Sequence, residues 1–64
     1  MQSIGEKIKA ERLKKKLTVQ KLARLSSLSR TTIYNIENNK TMPETKSLEC
    51  LARALEIHPA QFWL

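Results

Sequence analysis

Apolar residues recur at intervals of three and four along almost the whole chain, and this spacing most restricts the fold. Such spacing lines up side chains on one face of an α-helix, whereas a half-buried strand needs strict alternation, which no segment shows. One glycine and two prolines leave few interruptions between helices. The sequence therefore predicts an all-α fold, and its 64 residues suit one domain, which we place over residues 1–64.

Five short helices are predicted from helix caps and apolar stripes. Ser3 and Glu6 form a capping box that opens the first helix, which carries Ile4 and Ile8 inward and ends near Lys15. A cap at Thr18 predicts a second helix over residues 19–26, and a cap at Ser29 predicts a third over residues 30–38.

A break is predicted before the fourth helix, because the residue preceding Pro43 is disfavoured in helical backbone. The fourth helix then runs over residues 45–55, with four apolar residues on its inner face. His58 and Pro59 resemble a cap followed by a proline in the first turn, and they open a last short helix that carries Phe62.

Positive charge is concentrated near the start of the chain. Lys and Arg exceed Asp and Glu by 12 to 6, giving a net charge of +6 and a pI near 9.9. That surplus lies in residues 1–25, because positive and negative side chains balance in residues 26–64. It favours an anionic partner, nucleic acid first and an acidic membrane second. The alternative is a solvated helix face, with Lys14–Lys16 stabilising the negative end of a helix dipole.

Several functional classes are disfavoured by composition. With one cysteine (Cys50), one histidine (His58) and no aspartate, the chain lacks the residues for an internal disulfide, a cysteine-based zinc site and most acid–base catalytic sets. We therefore expect no metal, no cofactor, no small-molecule substrate and no enzymatic activity. The longest apolar run is three residues, so we expect no membrane span and no secretory signal, and a cytoplasmic location.

Residues 18–37 are predicted to form a helix-turn-helix unit, because two short helices joined by a tight turn must cross steeply. Ala23 is small where the helices approach, Leu28 fills the turn, and Ile33 and Ile36 face inward. This pattern alone also suits an ordinary helical hairpin.

Over nearly its whole length the sequence resembles the helix-turn-helix family of phage Cro and repressor proteins and the related xenobiotic-response-element regulators. The matching positions are Ile8-x3-Arg12, Leu17-Thr18-x3-Leu22-Ala23, Leu28-Ser29-Arg30-x2-Ile33-x2-Ile36-Glu37, Asn38-Asn39-Lys40, Pro43 and Leu48-x2-Leu51-Ala52-x2-Leu55-x-Ile57. The resemblance implies a five-helix, repressor-like domain that docks its third helix in the major groove of double-stranded DNA and usually acts as a transcriptional repressor. It also implies that Arg12 and Glu37, which lie on otherwise inward-facing stripes, form a structural ion pair. The alternative is that both are surface charges whose apolar stems lie along the protein.

The chain departs from the family pattern at four positions. The family often has glycine where this chain has Lys16, Ser27 and Asn39, and we expect strain or an altered turn there. A glutamine common at the start of the second helix is replaced by Val19, which argues against a side-chain contact to DNA at that position.

The third helix carries the predicted base contacts. At about 100° per residue, Ile33 and Ile36 share one face and the polar residues share the other. The candidates are Arg30, Thr31, Tyr34 and Asn35. Arginine can grip guanine and asparagine can grip adenine with two hydrogen bonds each. The alternative is that an exposed helix face only needs polar residues.

Phosphate contacts are predicted at helix N-termini and flanking loops, where free amides favour anions. The candidates are Thr18 with the amides of Val19 and Gln20, then Thr32, Asn38, Lys40 and Thr41. The alternative for Lys40 is a merely solvated charge.

The leading hypothesis is a sequence-specific transcriptional regulator that binds a palindromic operator as a homodimer. Alternatives of the same fold are an antitoxin and a restriction–modification controller, and a protein-binding helical adaptor is an alternative from another class. The candidate dimer surface is Ile57, Pro59, Trp63 and Leu64, whose side chains are apolar near the end of the chain. The alternative is that Trp63 and Leu64 simply finish the core, or are flanked by further residues of a longer chain.

Overall fold

The computed structural model describes residues 3–63, with only the backbone at Trp63. Four α-helices are followed by one 3₁₀ helix. They are α1 (Ile4–Lys14), α2 (Val19–Ser26), α3 (Arg30–Glu37), α4 (Thr45–Leu55) and the 3₁₀ helix Pro59–Trp63. No strand occurs within residues 3–63, so the predicted all-α class is confirmed there.

The fifth predicted helix requires a correction, because Pro59–Trp63 is a 3₁₀ helix and not an α-helix. The segment is five residues long, and Pro59 has no amide hydrogen to donate. Its backbone bond runs from the Gln61 amide to the His58 carbonyl at 2.9 Å, which is the three-residue spacing of a 3₁₀ turn. His58 does act as the cap, since its Nδ1 accepts the Ala60 amide at 3.0 Å.

The first three helices each begin at a hydroxyl side chain that accepts an amide three residues later. The pairs are Ser3 with Glu6 at 3.1 Å, Thr18 with Lys21 at 3.0 Å and Ser29 with Thr32 at 3.0 Å. In α1 the Ser3 amide also donates to the Glu6 carboxylate, which completes the capping box and lowers the pKa of Glu6. The sequence-based starts of these helices follow from this local chemistry.

All four α-helices end in the same backbone arrangement. A left-handed residue follows each helix: Lys16 (φ 58°), Ser27 (φ 63°), Asn39 (φ 61°) and Glu56 (φ 59°). The next amide donates five positions back: Leu17 to Arg12, Leu28 to Ala23, Lys40 to Asn35 and Ile57 to Ala52, at 2.8–3.1 Å. This is the Schellman motif, in which glycine usually supplies the left-handed residue. Here none of the four is glycine, and Glu56 adds a site that the resemblance did not indicate.

Eleven buried apolar side chains form the core between the helices. They are Ile8, Val19, Leu22, Ala23, Ile33, Ile36, Leu48, Leu51, Ala52, Leu55 and Phe62. Three residues that follow the left-handed positions, Leu17, Leu28 and Ile57, pack against its edge. The helix ends are thereby tied to the core, and α3 is held with one face outward. Within residues 3–63, every helix is too short or too polar to cross a lipid bilayer.

Candidate nucleic-acid interface

The turn between α2 and α3 holds the two helices in a fixed relation. Ser27 adopts left-handed backbone, and the Leu28 amide donates to the Ala23 carbonyl at 3.1 Å. The buried Ser26 hydroxyl donates to the Leu22 carbonyl at 2.7 Å. Leu28 packs against the core, so the chain leaves the turn in one direction and α3 starts at Ser29.

The outer face of α3 presents the four predicted base-contacting residues together. Ile33 and Ile36 are 0% and 2% exposed, which fixes the rotation of the helix. On the other side, three candidates are exposed and Asn35 is half-buried: Arg30, Thr31, Tyr34 and Asn35. The result is a polar ridge along the outer face of a short, firmly packed helix. The ridge carries both hydrogen-bond donors and acceptors for base edges.

One predicted phosphate site lies at the start of α2. The Thr18 hydroxyl oxygen already accepts the Lys21 amide, and its hydrogen remains able to donate. The Val19 side chain is 8% exposed and belongs to the core, so only its backbone amide is suited to phosphate. Gln20 is exposed beside it. The arrangement agrees with the sequence-based view that Val19 makes no side-chain contact.

A second predicted phosphate site lies in the turn after α3. Asn38, Lys40 and Thr41 are exposed there. The Asn35 carbonyl accepts the amides of Lys40 at 2.8 Å and Thr41 at 3.4 Å, which fixes the backbone of this turn. In the other three Schellman turns the corresponding residue is apolar and packs on the core, whereas Lys40 points a charge toward solvent. The fold thus uses a rigid turn to display an ammonium group.

Thr32 is less available than the other phosphate candidates. Its Oγ1 lies 2.8 Å from the Ser29 Oγ, and its amide donates to the same Ser29 oxygen at 3.0 Å. The side chain is half-buried. Thr32 therefore takes part in the cap that starts α3, and any phosphate contact must share this hydroxyl.

A buried ion pair connects α1 to the end of α3. The Arg12 Nε lies 2.8 Å from Glu37 Oε2, and Arg12 Nη2 lies 3.1 Å from Glu37 Oε1. A third nitrogen, Arg12 Nη1, donates to the Leu17 carbonyl at 2.8 Å. Arg12 and Glu37 are 8% and 6% exposed. One guanidinium therefore holds the turn before α2 and the end of α3 at a fixed separation.

Gly5 is a positioning residue that the sequence-based analysis missed. A Cβ at this position would collide with the Ile36 carbonyl oxygen and would lie 2.7 Å from Asn39 Oδ1. The first turn of α1 thus packs directly on the backbone that leads into the second predicted phosphate site. A signal was available, since Gly5 is the single glycine of the chain and lies inside the first predicted helix, where helix propensity disfavours glycine.

The remaining candidates are placed as follows. Ile57 and Pro59, predicted for a dimer surface, are half-buried, and Ile57 packs against the core. The other two, Leu64 and the Trp63 side chain, lie outside the described part of the chain. Within residues 3–63, no group of three or more His, Cys, Asp or Glu side chains is arranged to hold a metal ion.

Comparison with known proteins places this geometry among regulators. Residues 8–62 match the family described as helix-turn-helix. The HTH-type transcriptional repressor RghR of Bacillus subtilis (strain 168) is 43% identical over 58 residues, a match that covers 89% of this chain and 43% of RghR. The chain therefore spans less than half the length of this relative.

Two solved structures resemble the whole described fold. The P22 c2 repressor in complex with a synthetic operator superposes with a TM-score of 0.89 at 31% identity, over 97% of this chain and 94% of that one. The restriction-modification controller protein C.AhdI from Aeromonas hydrophila gives a TM-score of 0.90 at 29% identity, over 92% of this chain and 89% of the controller.

Proposed function

The chain belongs to the helix-turn-helix family, and from this premise we propose that it is a DNA-binding domain of a transcriptional regulator. It binds double-stranded DNA in a sequence-specific manner, with α3 in the major groove, and acts as a repressor. The observation that carries the proposal is the outward ridge of Arg30, Thr31, Tyr34 and Asn35, set opposite the buried Ile33 and Ile36. The repressor relatives support the same role. Residues 1–64 serve as one binding unit without catalytic activity.

The two kinds of contact have separate tasks. Arg30 and Asn35 read base edges, with Thr31 and Tyr34 beside them on the same face. The turn that holds Asn38, Lys40 and Thr41 and the start of α2 at Thr18 bind phosphates, which sets the register of α3 in the groove. The net charge of +6 adds attraction that does not depend on sequence.

Selection of bound sites from a random duplex pool tests the proposal directly. Against the selected site, Arg30→Ala and Asn35→Ala should each cost roughly 1–3 kcal/mol and relax the preference at particular base pairs. Lys40→Ala should instead weaken all sequences alike and reduce the slope of log K against log salt by about one unit. Titrations at several salt concentrations separate these effects.

Two results contradict the proposal at different levels. If Arg30→Ala and Asn35→Ala bind the selected site as tightly as the wild type, α3 is not the helix that reads the bases. Absence of duplex binding by the wild-type chain even at low salt removes DNA as the partner and favours a protein-binding helical adaptor.

A restriction–modification controller is the second candidate within the same class. The observation that favours it is the similarity to C.AhdI over 92% of this chain. A methyltransferase gene next to the gene for this chain, with the selected site upstream of it, would support the controller. An adjacent toxin gene would instead support an antitoxin.

A further inference from the structure

Three consecutive lysines, Lys14, Lys15 and Lys16, are exposed where α1 ends. They stand outside the base and phosphate contacts assigned above, and within residues 3–63 none of them forms an ion pair. They also belong to the first 25 residues, which carry the whole positive surplus of the chain. The individual DNA contacts proposed so far use only Arg30 and Lys40 as charged groups, and both lie outside these 25 residues.

Lys16 stands out among the three because its backbone is left-handed, with φ 58°. This conformation brings Cβ close to backbone oxygen and is unfavourable for any residue except glycine, with asparagine the best tolerated of the others. The side chain is exposed, so its charge is open to a partner. Glu56 shares this backbone and exposure, so the left-handed conformation predicts only that glycine or asparagine at position 16 stabilises the fold.

The turn that holds Lys16 is fixed by hydrogen bonds to other parts of the fold. The carbonyl of its neighbour Leu17 accepts a hydrogen bond from Arg12 Nη1 at 2.8 Å, and the same guanidinium pairs with Glu37 at the end of α3. The Arg12 guanidinium thus links the turn that holds Lys16 to Glu37, which precedes the turn that leads to Lys40. Both turns are Schellman motifs with fixed backbones, through the Leu17 amide to the Arg12 carbonyl and the Lys40 amide to the Asn35 carbonyl.

We propose that Lys16 is a phosphate-binding residue, which lies in the turn between α1 and α2, two residues before the predicted phosphate contact at Thr18. This rests on the proposed function and extends the DNA contact to a position where the family often has glycine. The partner group is the sugar–phosphate backbone of duplex DNA, and the contact adds affinity without base preference. Lys16 thus exchanges folding stability for electrostatic binding.

The experiment measures stability and DNA binding on the same variants, because the proposal predicts opposite signs. Lys16→Gly and Lys16→Asn should raise the melting temperature by about 4–8 °C, since both residues accept left-handed backbone more readily. Both should weaken binding to a duplex that carries one selected half-site. The slope of log K against log salt should fall by about 0.9 for the lost contact, so the affinity deficit is about threefold larger at 50 mM than at 200 mM salt.

Matched variants separate charge from backbone. Lys16→Arg keeps the charge and should keep the wild-type salt slope. Ser27 has the same left-handed backbone, and Ser27→Gly relieves its strain without changing charge. This variant should therefore raise the melting temperature and leave the salt slope of binding unchanged. Arg53→Gln removes an exposed charge on the side of α4 that faces Ile57 and Pro59, and it should alter the slope much less than Lys16→Gly.

The outcomes distinguish this inference from the proposed function. If Lys40→Gln lowers the salt slope while Lys16→Gly and Lys16→Asn leave it at the wild-type value, Lys16 makes no phosphate contact and the DNA-binding function stands. If the wild-type chain binds the half-site without salt dependence, the electrostatic part of both proposals fails. A fall in slope for Lys16→Gly and Lys16→Asn, restored in Lys16→Arg, supports the inference.

Discussion

The Arg12 guanidinium makes three hydrogen bonds within the fold, two to Glu37 and one to the Leu17 carbonyl. Removing two charges from water costs several kcal/mol per ion, and the attraction between them offsets this only when the geometry satisfies both groups. Here each carboxylate oxygen of Glu37 accepts a hydrogen bond from one Arg12 nitrogen. The pair is therefore better understood as a device that fixes position than as a source of net stability.

We predict that Glu37→Ala destabilises the chain more than Arg12→Met combined with Glu37→Leu. The single change leaves a buried guanidinium without its carboxylate, at a cost of roughly 3–5 kcal/mol, whereas the apolar pair removes both charges. Urea denaturation of the three proteins provides the comparison. Equal stability of wild type and Glu37→Ala would show that the pair carries no structural weight.

The same variant should also affect the phosphate contacts, because Glu37 is the last residue of α3 before the turn to Lys40. Hydrogen exchange of the Lys40 amide, which donates to the Asn35 carbonyl at 2.8 Å, reports on this turn. Faster exchange in Glu37→Ala, measured where the protein is still folded, is the expected result.

At the scale of elements, α1 and α3 meet without an intervening side chain at Gly5. Helix propensity alone favours alanine over glycine by about 1 kcal/mol in a helix interior, so Gly5→Ala would stabilise an isolated α1. In the folded chain the added methyl would collide with the Ile36 carbonyl and approach Asn39 Oδ1 to 2.7 Å. Backbone oxygen cannot move aside as a flexible side chain can, so α1 and α3 must separate.

We predict that Gly5→Ala destabilises the chain by about 1–3 kcal/mol, in the range of other overpacked sites. Lys9→Ala is the matched control in the same helix, because Lys9 is exposed and such changes usually stay within about 0.5 kcal/mol. Thermal unfolding of both variants checks the sign. A Gly5→Ala protein more stable than wild type would mean that propensity outweighs the contact between the helices.

The sequence predicts a helix boundary well where the boundary depends on residues close together in the chain. The starts at Ser3, Thr18 and Ser29 were predicted because a cap depends on residues three positions apart. The end of α3 at Glu37 differs by one residue from the prediction, and the 3₁₀ form of Pro59–Trp63 was missed. Both depend on backbone bonds that residue type alone does not reveal.

The candidate site likewise divides into features set by local sequence and features set by long-range contacts. Helical periodicity sufficed to place Arg30 and Tyr34 opposite Ile33, because the rotation of a helix follows from its buried residues. Contacts between segments distant in sequence were harder to predict from the sequence alone. The close approach of Gly5 to Asn39 required the packing of α1 on α3, and only the family resemblance suggested the pairing of Arg12 with Glu37.

At the scale of the whole molecule, the predicted interface is small for a specific regulator. A single module of this kind buries about 600–1,000 Å² against DNA and reads few base pairs. Two copies related by a two-fold axis would place their α3 helices about one DNA turn (~34 Å) apart on a palindrome. We therefore expect two chains per operator, which associate through the surface around Ile57, Pro59, Trp63 and Leu64.

Stoichiometry on a selected palindrome tests this dimer. Two chains should bind per duplex with cooperativity, and Trp63→Ala should reduce the cooperativity while leaving the affinity for one half-site unchanged. Leu13→Ala is the control, because Leu13 is an exposed apolar residue on α1, 56% accessible and outside the predicted surface. One chain per duplex without cooperativity contradicts the dimer. Cooperativity that survives Trp63→Ala but is lost in Leu13→Ala would move the contact between copies to the outer face of α1.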